Sequence, residues 1–215
     1  TLLKENGFLP TTFSVNSAPS IEACKRISGF PDITVTRKIS PVLLENNAHF
    51  LNGHVPITGI IAFILLVCAI LYDKRYVAMS CESSANEGNF GNVNHQWSKS
   101  SAFEASFYRL TQAILPDFRY FSLLRPLTEL HIARLFANKC ADYFDVFTSC
   151  NRAFCLDTSK RLTHWCGHCD KCRFVFLILA PFMDKEKLIR IIGTNPLDDA
   201  NQLDAYKQLL GIEGV

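Results

Sequence analysis

Apolar and polar residues along the chain fall into two alternating rhythms. Leu2 to Asn6 (LLKEN) reads as the end of a helix stopped by Gly7, and Thr11 to Val15 (TTFSV) as a short strand of β-branched and aromatic residues. Pro19 opens a helical segment, SIEACKRIS, that Gly29 closes, and Ile33 to Thr36 (ITVT) is the next strand. Pro41 suits the first turn of a further short helix, VLLENN, because its missing N–H is not needed there; Gly53 ends that region.

From Val55 to Tyr72 the chain is almost wholly apolar, so a membrane span has to be weighed against a buried helix. A span needs about 20 apolar residues, and Pro56, Thr58 and Gly59 shorten this run, leaving it uninterrupted only from Ile60. The expectation is a buried central helix, with no membrane crossing. Arg75 to Ser80 then reads as a strand leaving the same core.

Residues 82–101 are rich in Asn, Ser and Gly and show neither period, which predicts a long loop. A long loop directly after a buried strand is where open α/β sheets bind ligands. Helical pattern resumes over Phe103 to Ile114, a strand fits Arg119 to Ser122, and Leu127 to Phe136 is a further amphipathic helix. The alternation predicts an α/β fold, organised as an α/β domain over 1–148 and a metal-bearing helical part over 149–215.

The formal net charge is +2, from 22 Lys plus Arg against 20 Asp plus Glu, with no long run of one sign. That balance gives no footprint for nucleic acid. Nine cysteines, an odd number with three of them clustered, suit thiolate metal ligation in a reducing cytoplasm better than a secreted disulfide framework. Cys150, Cys166, Cys169 and Cys172 have the spacing C-x15-C-x2-C-x2-C, with Gly167 relaxing the backbone between two of them. Four soft donors, three from one tight turn and one distant, match tetrahedral structural zinc. An iron–sulfur cluster is the rival, because C-x2-C-x2-C also occurs in ferredoxin-type ligation. Cys155, His164 and His168 are spare donors nearby, and Cys24, Cys68 and Cys140 read as small core residues. A closed four-thiolate site stabilises and leaves catalysis elsewhere.

Three separated motifs occur in order: Ser80 to Asn89 (SCESSANEGN), Val93 to Ser100 (VNHQWSKS) and Trp165 to Cys172 (WCGHCDKC). With Phe13 to Asn16, Leu51 to His54 and Leu124 to Leu127, they resemble the UDP-N-acetylmuramoyl-L-alanyl-L-glutamate epimerase family of bacterial peptidoglycan synthesis over nearly the whole chain. Pro126-Leu127 and the cysteine knuckle also look like the wider ATP pyrophosphatase superfamily. The resemblance implies a doubly wound parallel sheet of the ATP pyrophosphatase (HUP-like) kind with a C-terminal zinc knuckle. It implies ATP and Mg2+ as cofactors beside structural Zn2+, a UDP-linked muramoyl dipeptide as substrate, and activation of a carboxylate as an acyl adenylate. The superfamily's glycine-rich phosphate loop is not in these residues, and the expectation is a truncated chain, starting just beyond that loop, that binds ATP poorly on its own.

Within the 82–101 loop, Glu82 and His95 are the candidates for proton handling: a carboxylate at a strand's C-terminal edge can be partly desolvated, and an imidazole titrates near neutrality. Lys99 can neutralise a phosphate or carboxylate, and Asn86, Asn94 and Ser98 can orient polar substrate groups, against ordinary loop hydrogen bonding for each. Cys81 is a conceivable acid/base thiol and is not chosen. Asn16, ending the strand at 11–15, is a candidate nucleotide contact by the superfamily likeness. Two other functions compete: a different ATP pyrophosphatase, such as a 7-cyano-7-deazaguanine synthase-like enzyme, and a non-catalytic zinc-stabilised module. Zinc is expected to hold the apolar helix from Phe174 to Leu179 and its neighbours on the sheet carrying Glu82 to Lys99.

Overall fold

A computed structural model of the chain describes residues 1–45, 49, 55–88, 91, 93–155 and 157–212. The Leu51 to His54 motif and the Gly53 helix stop lie outside the described residues. Two compact units divide the chain, one formed by residues 1–37 and 133–215, the other by residues 38–132.

In the first unit, α1 (Leu2–Glu5) leads to β1 (Thr12–Val15), α2 (Pro19–Ser28) and β2 (Asp32–Val35). The punctuation read from the sequence is the punctuation found. Pro19 occupies the first turn of α2, and Gly29 ends it in the left-handed conformation, φ 67°. β1 and β2 pair in parallel, Thr12 opposite Asp32 through Val15 opposite Val35. Further along, α5 (Glu129–Lys139) runs into this unit from residue 133, followed by α6 (Asp170–Leu179), α7 (Lys185–Ile192) and α8 (Leu203–Leu209). Their core gathers Trp165, Phe176, Leu179, Leu188 and Ile192 around Cys150 and Cys172. Gly193, at φ 86°, turns the chain out of α7.

The second unit holds α3 (Ile57–Leu71), β3 (Tyr76–Met79), α4 (Ser101–Gln112) and β4 (Arg119–Ser122). β3 and β4 are parallel, Tyr76 opposite Arg119 and Met79 opposite Ser122. Phe107 anchors the core: its ring stands 5.1 Å from Tyr120, 5.6 Å from Phe103 and 6.4 Å from Phe118. Mostly edge-on contacts of this kind suit the aromatic quadrupole.

Three expectations change. The apolar run forms α3, too short to cross a membrane, and no described helix is long and apolar enough to do so. It is, however, buried on one face only. Gly59, Ala62, Leu65, Leu66 and Ala69 are inside, while Phe63, Val67 and Ile70 are about half exposed. Composition made the helix look buried all round, but the Trp97–Lys99 turn and β3 cover only part of it, and Phe63, though half exposed, still meets Phe107 of α4 edge-on at 5.1 Å.

The described strands form two separate two-stranded parallel sheets, and a single doubly wound sheet is not found among the described residues. Each pair has its own crossover helix, α2 or α4. An alternating strand and helix pattern is equally satisfied by one sheet or two, because it does not say which strands are neighbours.

Finally, the 82–101 segment is not featureless. It contains 3-10 turns at Ser83–Asn86 and Trp97–Lys99, and α4 begins at Ser101, where Ser100 caps it by accepting a hydrogen bond from the Phe103 N–H at 3.2 Å.

Candidate functional site

The four cysteines singled out by spacing come together. Their Sγ atoms all lie within 4.8 Å of one another, a group that can hold one metal ion. Cys150 to Cys169 is 3.9 Å, Cys166 to Cys172 is 3.7 Å and Cys169 to Cys172 is 3.5 Å. Local sequence explains how three donors converge. Gly167 takes φ 77°, open to glycine at little cost, and lets the chain double back after Cys166. Cys169 then stands at the N-cap position of α6, so that Cys172 lies in its first turn, fully buried. Cys150 approaches from the other side, also fully buried.

Thiol acidity follows the packing. Burial pushes Cys150 and Cys172 up. Burial opposes ionisation of Cys166 as well, but hydrogen bonds from the His168 amide, the Cys150 thiol and the Cys169 amide outweigh it and bring that thiol down to about 7. One thiol poised to ionise near neutral pH is a good first ligand, since metal binds the thiolate.

The spare donors are used elsewhere. His168 faces Gln202, Nδ1 to Nε2 3.3 Å, and the Cys155 thiol points to the Asp157 carbonyl at 3.2 Å. Sequence reading missed Arg173. This nearly buried guanidinium donates to the His168 carbonyl at 2.6 Å, to Asp170 at 2.5 Å and to Gln202 at 3.2 Å, tying the knuckle to the segment before α8. Its only trace in the sequence was a cation in the charged first turn of α6, beside Asp170 and Lys171 and before the apolar run.

In the second unit, the polar loop is organised by its own side chains. Asn86 Oδ1 accepts from the Ser101 N–H at 2.8 Å and its hydroxyl at 2.9 Å, while Asn86 Nδ2 donates to the Ser83 carbonyl at 3.0 Å. Asn94 donates to the Ala85 carbonyl at 2.9 Å and accepts from the Gln96 N–H at 2.8 Å. Lys99 Nζ donates to Gln96 Oε1 at 2.9 Å, and Ser98 is buried. Glu82 is half-buried and His95 exposed. Burial pushes the Cys81 thiol up, partly offset by Ser122, so it stays protonated at neutral pH. Asn16 lies in the first unit, beyond the end of β1, in a left-handed conformation that Asn tolerates, φ 60°; its Oδ1 accepts from the Arg37 N–H at 2.7 Å. The cysteine centre belongs to the same unit as Asn16, and Glu82 to Lys99 to the other.

Residues 1–123 match the family model described as the MurL N-terminal domain, and residues 146–215 the one described as the MurL C-terminal domain. The chain belongs to the MurL family. Among its curated MurL relatives are proteins named UDP-N-acetyl-alpha-D-muramoyl-L-alanyl-L-glutamate epimerase. That of Salinispora tropica is 45% identical over 99% of this chain and 47% of its own length. That of Xanthomonas oryzae pv. oryzae is 43% identical over 97% and 47%, and that of a Micromonospora species 44% over 99% and 48%. The chain thus spans about half the length of the curated MurL relatives it matches.

Proposed function

We propose that this MurL chain serves an ATP- and Mg2+-dependent epimerase that inverts the terminal L-glutamate of UDP-MurNAc-L-Ala-L-Glu, in the cytoplasm, for peptidoglycan precursor synthesis. One observation carries the reading: 43–45% identity, along almost all of this chain, to relatives that bear that enzyme's name.

The chemistry explains why such an enzyme would use ATP. The α-proton of a terminal glutamate is a poor acid beside a free carboxylate. Joining that carboxylate to AMP, with release of pyrophosphate, removes the adjacent negative charge and stabilises the enolate formed on deprotonation. A base takes the proton, an acid returns one to the opposite face, and water cleaves the anhydride to give the D-glutamyl product and AMP.

Glu82 and His95 are the proposed proton carriers, and their partial or full exposure leaves both within reach of a substrate. Lys99 is the proposed partner for substrate negative charge. Asn86, Asn94 and Ser98 are proposed to orient polar groups of the substrate. Asn16 is proposed as a nucleotide contact through its remaining amide capacity. The strand pairs are proposed as parts of a doubly wound parallel sheet.

Zinc is the metal proposed for Cys150, Cys166, Cys169 and Cys172. Thiolates at 2.3 Å from a tetrahedral ion stand ~3.8 Å apart, and the three sulfur pairs given above span 3.5–3.9 Å. A cubane cluster carries each thiolate on a different iron and spreads the sulfurs further. Four thiolates close the zinc shell, so its contribution is to folding.

The test uses a protein of the relatives' full length that carries these residues, incubated with the dipeptide substrate, ATP and Mg2+. Chiral analysis after hydrolysis should show D-glutamate with stoichiometric AMP; all-L glutamate with no AMP would refute the proposal.

A further inference from the structure

We infer that Arg125 is a positioning residue that binds together the two ends of the 82–99 loop. This rests on the proposal that the proton-handling groups lie in that loop. The Arg125 side chain is 16% exposed and projects into three acceptors from three parts of the second unit. One guanidinium nitrogen donates to the Glu82 carbonyl at 2.8 Å; the other donates to the Lys99 carbonyl and, at 2.6 Å, to the Glu104 carboxylate.

The two carbonyls belong to the first and last residues proposed to do chemistry on this loop. Only a planar, forked cation can serve both while keeping a carboxylate partner; an ammonium acts as a point charge and lacks that geometry. Glu104, in the first turn of α4 and itself 17% exposed, holds the fork in orientation. Neighbouring bonds fix the segment that carries Arg125. Ser122 Oγ donates to the Cys81 carbonyl at 2.8 Å, and the Ser83 N–H donates to the Leu127 carbonyl at 3.0 Å. Residues 81–83 are thereby zipped onto 122–127, and Arg125 adds Lys99 to the same assembly.

A carbonyl held from behind fixes the backbone from which its side chain springs. Arg125 touches no reacting atom in this arrangement; it sets where Glu82 and Lys99 start. Misplacement of such groups by about 1 Å can cost roughly 100-fold in rate.

Removing Arg125 alone would strand Glu104 with little solvent, so the decisive variant replaces both charges by apolar side chains, Arg125→Met with Glu104→Leu, a change that commonly preserves folding. Arg125→Lys is the conservative companion. In the full-length protein, amide hydrogen exchange is followed over 82–87, over 97–101 and over the α4–β4 core, beside kcat and KM. The expected result in the double variant is faster exchange at both loop ends with an unchanged core. kcat should fall roughly 100-fold, KM change far less, and Arg125→Lys recover part of the loss. Unchanged exchange at either end, or a rise spread evenly over the unit, would overturn the clamp. If both ends open and turnover persists, the clamp is upheld, and what fails is the placement of the chemistry on this loop.

Discussion

Gly167 lies directly against Thr194, so that a Cβ built on the glycine would collide with the threonine Cγ2 methyl. The position is constrained twice, because the backbone there is also left-handed, at φ 77°. Gly167→Ala should therefore destabilise the metal-loaded protein by about 2 kcal/mol. Thr194→Ser, which deletes the methyl, should return the steric part and leave the backbone part. Urea denaturation of the two single variants and the pair measures this; full additivity would show that the contact is not the cause.

The four-cysteine centre predicts one zinc per chain by elemental analysis, without acid-labile sulfide. Cys169→Ser should lower both metal content and melting temperature, because binding free energy at such a site is folding free energy. Melting unchanged from the unmodified chain would remove the structural role assigned to the metal.

Lys25, Asp32 and Thr34 make a pH-dependent cluster over the β1–β2 sheet. Asp32 sits below its usual 3.8 because Lys25, at 3.0 Å, and Thr34 donate to it, against some desolvation. For Lys25, burial pulls downward, but its hydrogen bonds to Asp32 and Glu22 leave it above 10.5. A depressed acid adds stability that is complete above its unfolded pKa and lost as pH falls through the folded value; a raised base adds stability lost as pH rises through its own. The stability difference between the unmodified chain and Asp32→Asn should thus be constant at neutral pH and shrink below pH 3.8. Urea titrations over acid pH check it, and a difference that widens with acid would contradict the assignment.

The exposed face of α3 predicts a tolerant site in a very apolar helix. Val67 is 55% exposed, so Val67→Lys should change this chain's stability by no more than about 0.5 kcal/mol. Phe107→Ala, 2% exposed at the centre of the aromatic core, should cost about 4 kcal/mol. Similar losses for the two in chemical denaturation would show that α3 is buried on both faces.

These residues also show what a sequence can carry. Strand positions at Thr12–Val15 and Arg119–Ser122, and the limits of α2 between Pro19 and Gly29, were legible because turn and cap residues act locally. The metal ligands were legible because three of the four act within one turn. Asn86 and Asn94 were ambiguous for the opposite reason: an amide that orients a substrate and one that bonds Ser101 or Ala85 have the same surroundings in sequence. Arg125 was missed because all its acceptors are distant in the chain, and Arg173 because its tie to Gln202 is. The grouping of strands into pairs was hidden as well, since register and neighbours are set by packing that spans many residues.

The proposed inversion at the glutamyl α-carbon runs through loss and return of a proton. The most direct measurement incubates the full-length protein with UDP-MurNAc-L-Ala-L-Glu, ATP and Mg2+ in D2O and reads the α-position by NMR or mass spectrometry. One deuterium is expected at that carbon in the D-glutamyl product, dependent on ATP. D-glutamyl product with no solvent deuterium, or no exchange and no product, would contradict it.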